Sequence, residues 1–243
     1  MNLIIDVGNT KTKIAVFEGR VMVHLKAVFS FQVNDLEEIF RDFSIQSYFL
    51  SSVKNEDELI LNYLNSNCKL GEVFSSSTPL PFKMDYETPN TLGLDRIALA
   101  AAAFCKYPSV NSLIISCGTC ITYNLISGEG VFNGGGISPG VHMRLKAMQH
   151  FTDKLPLAEW NGRLIPQLIA KNTNEALLSG AVNGALCELT EVINRYRQTF
   201  TRELNIILSG GDAKFFEKGL KNSIFADSNF VLYGLNEIHH YNS

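Results

Sequence analysis

Apolar residues gather in a short run at the start of the chain and again near its middle, and both runs break in the same way. Leu3-Ile4-Ile5-Asp6-Val7-Gly8-Asn9-Thr10 has an echo in Leu113-Ile114-Ile115-Ser116-Cys117-Gly118-Thr119-Cys120. Each copy reads as an apolar strand, an acidic or small residue at its end, a Gly two positions on, and then a hydroxyl residue. In both, a second strand follows instead of a helix, over 11–17 and 121–126, and a Gly-containing turn (Gly19, Gly128) leads to a third. The pattern predicts strands over 3–7, 11–17 and 20–28, and a repeat of that arrangement in the second half. Two related halves would offer backbone N–H groups and hydroxyls to phosphates from both sides, as a nucleotide cleft does.

Helical spacing appears between and after these strands. Leu36, Ile39, Phe40 and Phe43 predict a helix over 35–43. A strand over 48–53 and a helix over 56–65 follow, and the Ser, Thr and Pro of 75–81 read as loop. Ala98-Leu99-Ala100-Ala101-Ala102-Ala103 gives 92–106 high helix propensity. Tyr107-Pro108-Ser109 ends that helix and divides the chain into expected domains of 1–108 and 109–243. In the second half, Gly134 to Gly140 reads as a loop leading into a helix to about residue 150, with Ser138 as N-cap and Pro139 in the first helical position. A longer helix is expected over 173–197, where Asn172 and Glu175 are spaced like a capping box. A strand over 204–208 then ends in Ser209-Gly210-Gly211-Asp212 and a short helix, and His239-His240 read as part of a polar tail. The sum is an α/β chain with two mixed sheets flanked by helices.

Composition narrows the function class. A net charge of −3 gives no general attraction to nucleic acid or to an anionic membrane. The N-terminus lacks a basic stretch and meets Asp6 too soon for a signal peptide. No apolar run approaches the roughly 18 residues of a membrane span. Five cysteines without framework spacing point to reduced thiols and a cytoplasmic home. Cys117-Gly118-Thr119-Cys120 has the spacing of a redox pair, but the residues after it are strand-like, so no helix N-terminus lowers a thiol pKa. A zinc site would need a second ligand pair, and Cys68, Cys105 and Cys187 stand alone.

Two motifs carry the candidate chemistry. In Asp6-Val7-Gly8-Asn9-Thr10, Gly8 lets the backbone approach an anion and Thr10 can donate to a phosphate oxygen. Asp6 could hold a magnesium ion through water. Lys11 and Lys13 share one face of the following strand. A plain hairpin turn would also favour Asn and Gly here, and it is the second copy that tips the balance towards phosphate. In Thr91-Leu92-Gly93-Leu94-Asp95-Arg96 an acid and a base stand where the alanine-rich helix begins. A carboxylate is ordinary in a first helical turn, whereas Arg96 so early suggests a bound anion or a hydrogen-bonded substrate. Asp95 could take the proton of an alcohol attacking a phosphoryl group. Weaker candidates are the Gly134–Gly136 run and Ser209-Gly210-Gly211-Asp212, where a base or ribose could pack on backbone.

Taken in order and spacing, Asp6-Val7-Gly8-Asn9-Thr10, Gly93-Leu94-Asp95-Arg96, the turn at Gly118-Thr119 and the Gly134–Gly140 stretch resemble the type III pantothenate kinases over essentially the whole chain. The resemblance implies a duplicated ribonuclease-H-like fold of the actin-like ATPase superfamily, working as a homodimer. It implies ATP-dependent phosphorylation of pantothenate, the first step of coenzyme A synthesis, with magnesium and a monovalent cation, potassium or ammonium. On it, Asp6, Val7, Gly8, Asn9, Thr10, Lys11, Thr12 and Lys13 would form the first phosphate motif and Thr119 the second. Asp95 would be the proton acceptor, and Tyr86, Gly93, Leu94, Asp95 and Arg96 would hold pantothenate. Thr173 would reach pantothenate from the other subunit. The chain departs from the family at Ser116, where Asp is usual as the monovalent-cation ligand; a neutral hydroxyl there predicts weaker cation binding. Two other classes share the fold: a catalytically silent nucleotide-binding accessory protein, opposed by the intact Asp95 and Arg96, and a sugar kinase, disfavoured by the short chain and the Gly-Leu-Asp-Arg motif.

Overall fold

The computed structural model of the chain describes residues 1–53, 57–200, 203–220 and 225–243. These form two compact units, 1–106 with 231–243, and 107–230.

The first unit opens with three antiparallel strands, β1 (Asn2–Val7), β2 (Thr12–Glu18) and β3 (Val21–Val28). Helix α1 (Val33–Asp42) carries the chain to β4 (Ser47–Ser52), which lies parallel to β1, and α2 (Glu58–Asn67) carries it to β5 (Leu70–Val73), parallel to β4. The sheet order is therefore β3-β2-β1-β4-β5. A two-residue strand β6 (Lys83–Met84) and a 3-10 turn (Pro89–Thr91) precede α3 (Leu94–Lys106). The expected start of the second helix at Glu56 lies outside the described residues.

Both faces of this sheet are covered, which is why Leu3, Ile4 and Ile5 are all fully buried. Leu3, Ile5, Ile14 and Val16 pack with Leu36, Ile39, Ile60 and Leu64 of α1 and α2. On the opposite face, Phe17 meets Tyr233 edge-on and Phe49 stacks near His239.

In the second unit, β7 (Asn111–Cys117), β8 (Cys120–Ile126) and β9 (Val131–Pro139) are again antiparallel neighbours. After α4 (Val141–His150) and α5 (Thr173–Thr199), β10 (Leu204–Ser209) lies parallel to β7. Helix α6 (Ala213–Gly219) leads to β11 (Phe225–Ala226), parallel to β10. The unit's own strands run β9-β8-β7-β10-β11, the order and directions of the first sheet, so the duplication expected from the two apolar runs is a duplication of topology. Asn172 caps α5 by accepting from the Glu175 N–H.

Three expectations change. Gly134 to Gly140 is not a loop before a helix. Strand β9 runs through to Pro139, and Gly140, not Ser138, is the N-cap of α4. The glycines are there because the β8–β9 register slips, and a Cβ at Gly135 would lie 1.9 Å from the Tyr123 carbonyl oxygen. Second, the C-terminal residues are no polar tail but the helix α7 (Phe230–Tyr241), whose residues from Val231 on belong with the first unit rather than with 109–243. His239 is buried there, its Nε2 2.8 Å from the Ser47 hydroxyl, and burial pushes its pKa down to about 4, so the ring is neutral. A Cβ at Gly234 would sit 1.7 Å from the Ala98 carbonyl oxygen, so α7 and α3 approach backbone to backbone. Third, α5 alone among the described helices is long and apolar enough to cross a membrane by length and composition. Leu177, Val182, Leu189 and Ile193 on it are core residues of the second unit.

Candidate active site

The first turn joins two paired strands. Val7 pairs with Thr12 and Asp6 with Lys13, leaving Gly8 to Lys11 as the connection. The Gly8 N–H donates to the Lys11 carbonyl at 3.2 Å, closing the loop so that Asn9, Thr10 and Lys11 are exposed while Thr12 is buried. A Cβ on Gly8 would lie 3.0 Å from that carbonyl oxygen, a tight fit. The Lys11 ammonium rests 4.7 Å from the centroid of the Phe29 ring.

Asp6 stands at the end of β1 as a carboxylate removed from water, which raises its pKa from 3.8 to about 6; Lys13 opposes the shift and Asp95 adds to it. The structure thus brings two expected site residues, Asp6 and Asp95, within electrostatic reach inside one unit. A desolvated carboxylate beside the first turn fits a role as magnesium ligand. No cluster of three metal-ligating side chains occurs among the described residues, so the ion would take its remaining oxygens from phosphate and water.

Asp95 is the second residue of α3, whose axis dipole favours negative charge there. It keeps a solvent-facing edge, yet loss of hydration raises its pKa, while the N–H and the charge of Arg96 pull it back. A Cβ at Gly93 would lie 2.6 Å from Asp95 Oδ1, so a side chain there would displace the carboxylate from its present position. Arg96 is buried, and its guanidinium lies over the ring of half-buried Tyr86 at 5.8 Å. Its N–H donates to the Gly93 carbonyl at 3.0 Å, starting the helix on that residue. Tyr86 therefore lies beside the helix start that Gly93, Leu94, Asp95 and Arg96 form.

The second turn spans Cys117 to Cys120. The Gly118 N–H donates to the Cys120 carbonyl at 3.0 Å, and Thr119 is exposed at the tip. Two glycines brace it. A Cβ at Gly210 would lie 2.3 Å from the Cys117 carbonyl oxygen, and one at Gly140 would lie 2.0 Å from that of Gly118. Gly210 has a φ of 89°, open to glycine and strained for other residues. The Asp212 N–H donates to the Cys117 carbonyl, and the Gly140 N–H to that of Thr119. Ser209-Gly210-Gly211-Asp212 thus supports the turn's backbone. Neither this nor the bracing by Gly140 was readable from sequence, because the first copy has no equivalent glycine to compare. Burial pushes the Cys117 thiol far up, the reverse of a redox cysteine.

Ser116 pairs with Thr122 on one side and Ser209 on the other, so its sheet neighbours are hydroxyl residues. Such a set fits a monovalent cation only as neutral oxygens, without a carboxylate. Thr173 is the first residue of α5 and is exposed.

A family model described as type III pantothenate kinase matches residues 2–195. Type III pantothenate kinases from Christiangramia forsetii and Bacteroides fragilis are 44% and 40% identical to this chain, covering 100% of it and 99% of each relative. Among solved structures, a Baf family transcriptional activator from Campylobacter jejuni aligns with a TM-score of 0.62 at 20% identity, over 99% of this chain and 98% of that one. A ROK family protein from Streptococcus pneumoniae aligns at 0.51 and 13%, over 99% of each. At those identities the two structures speak for the fold alone, and it is the family model and the full-length relatives that decide the matter: the chain belongs to the type III pantothenate kinase family.

Proposed function

We propose that this protein transfers the γ-phosphoryl group of ATP to the primary alcohol of pantothenate, the first step of coenzyme A synthesis. The observation that carries the mechanism is the placement of Asp95 at the start of α3 with Asp6 of the phosphate turn as its electrostatic neighbour. Asp95 accepts the proton of the attacking hydroxyl, and its raised pKa brings it nearer to what a base at neutral pH requires. Tyr86, Gly93, Leu94 and Arg96 orient the alcohol, and the N–H groups and hydroxyls at Gly8–Thr10 and Thr119 receive the phosphates. Asp6 would hold magnesium, which when bound would withdraw charge from phosphate oxygens. The free cysteines fit a reducing, cytoplasmic setting.

The proposal includes a homodimer with Thr173 acting across the interface. Helix α5 shows Ala176, Gly180, Gly184 and Cys187 along an open groove of about 490 Å³, beside the exposed Leu168. Small residues there let a second backbone approach closely.

A coupled assay of the purified protein with ATP, magnesium and pantothenate tests the activity, and the absence of turnover would support the silent accessory class instead. For the shared site, Thr173→Ala mixed with Asp95→Asn should recover part of the activity that each lacks. No recovery after verified subunit exchange would place each site within one chain.

A further inference from the structure

Glu188 lies in the middle of α5, outside every motif assigned to the chemistry, and it gathers three donors. Its carboxylate accepts from the Tyr123 hydroxyl on β8 at 2.8 Å, from the Ser138 hydroxyl on β9 at 3.0 Å, and from the guanidinium of Arg144 on α4, with which it forms an ion pair. Arg144 donates further to the Pro139 carbonyl at 2.8 Å and to the Ser138 hydroxyl at 2.9 Å. Both charged side chains are about three-quarters buried, at 22% and 26% exposed. Burial opposes the charge on Glu188, but the bonds from Arg144, Tyr123 and Ser138 outweigh it and hold the carboxyl below its usual range.

What this cluster grips is the corner where β9 ends at Pro139 and α4 begins. The residue at the corner is Gly140, which donates to the Thr119 carbonyl and whose missing Cβ leaves room for that of Gly118. Tyr123 belongs to β8, the strand that leaves the turn. One carboxylate therefore holds the corner at Gly140, one of the two supports of the second turn, and through Tyr123 the strand that leaves it. A part-buried ion pair of this kind adds little net stability over apolar packing, but it fixes geometry, because each partner is costly to leave unpaired.

We propose that Glu188 is a positioning residue for the second phosphate turn: with Arg144, Tyr123 and Ser138 it sets the β9–α4 corner on which Thr119 rests, and so ties that turn to α5. The proposal rests on the assignment of ATP phosphate to Thr119. Its consequence is selective. Loosening the corner moves the group that meets ATP and leaves the Gly93–Arg96 cluster of the first unit untouched.

The test compares Glu188→Gln, Arg144→Met and the double variant with the unaltered protein. Each is read by KM for ATP, KM for pantothenate, equilibrium binding of a fluorescent ADP with magnesium, and thermal melting. Each single change should weaken nucleotide binding about tenfold, the worth of one unpaired partly buried charge. KM for pantothenate should stay within about twofold, and the double variant should be no worse than the worse single one, since the two act as a unit. Unchanged ADP affinity in a folded variant, or equal losses for both substrates, would overturn the proposal. Should the charge variants fail to fold, Tyr123→Phe removes one donor and no charge. An ATP-selective loss of about two- to fivefold supports the proposal and no change overturns it. A protein that binds ADP but leaves pantothenate unphosphorylated refutes the kinase activity while the ADP comparison still stands. One that binds no ADP refutes both.

Discussion

The two turns descend from one pattern and have become different devices. The first is charged and lightly supported: Asp6 and Lys13 face each other across its base, and Lys11 leans on Phe29 at its side. Its shape comes from its own backbone, through the bond from Gly8 to Lys11. The second is neutral and braced from two sides, with buried Cys117 and half-buried Ser116 at its base and Gly140 and Gly210 pressed against its carbonyls. Equal topology therefore does not imply equal labour. The unit with the charged turn also holds the candidate base, whereas the other holds a turn whose backbone is supported by residues distant in sequence.

The sharpest way to break this division is Asp95→Asn. If the chemistry resides in the first unit, kcat should fall about 100- to 10,000-fold, the usual worth of a general base, with ADP binding and melting temperature little changed. A kcat near that of the unaltered protein would remove Asp95 from the mechanism.

Glycine replacements test the difference in support. Gly140→Ala places a methyl group 2.0 Å from the backbone carbonyl oxygen of Gly118, so backbone must shift. It should cost about 1–3 kcal/mol in stability and weaken ATP binding about tenfold or more. Gly8→Ala meets its carbonyl at 3.0 Å on an exposed loop and should cost less than half as much. Equal losses in parallel melts and ADP titrations would mean that the turns are supported alike.

The charge on the first turn predicts a pH dependence. The folded carboxyl of Asp6 titrates near 6 and the unfolded one near 3.8, so between those values the folded state holds the extra proton. Stability contributed at this site is therefore present below about pH 4, declines as pH rises towards 6, and is flat above, by at most about 3 kcal/mol. Asp6→Asn should remove that slope and melt higher at pH 7. It should also lose the stabilisation that magnesium with ATP gives the unaltered protein, a gain that itself fades as pH falls below 6. A melting profile with the same slope in both proteins would disprove the assignment of Asp6.

The smallest effect is expected at Ser116. With hydroxyl residues as its sheet neighbours, potassium should act only at high concentration or not at all. Ser116→Asp should shift the response to lower potassium, titrated at constant ionic strength with a large organic cation as filler. Saturation of the unaltered protein at low potassium would show that the missing charge is no handicap.

Local rules were enough for much of the fold. Strands β1 to β4, β7, β8 and β10, α3 with its alanines and α5 with its Asn172 cap follow from periodicity and capping, because those preferences act within a few residues, whereas β5, β6 and β11, two to four residues long, are too short to show a pattern. The placement of Asp95 and Arg96 in the first turn of α3 was legible, since both stand where the alanine-rich run begins. The expected helix entry at Ser138–Pro139 failed for the opposite reason. Cross-strand pairing with β8 keeps that stretch in a sheet, and pairing is not written in local propensity.

The amino-acid sequence by itself determined that this chain repeats a three-strand arrangement in two related halves, with a charged turn in the first, a neutral turn in the second, and an acid–base pair opening an alanine-rich helix. These depend on residue type and on spacing along the chain, and both are in plain view. Only the tertiary structure decided that α7 joins the first unit, that Gly140 and Gly210 are wedged against the second turn, and that Glu188 holds the corner beneath it. Those facts come from backbones and side chains that meet across tens of residues of sequence. The glycine that makes such a contact possible looks, in the sequence, like any other turn.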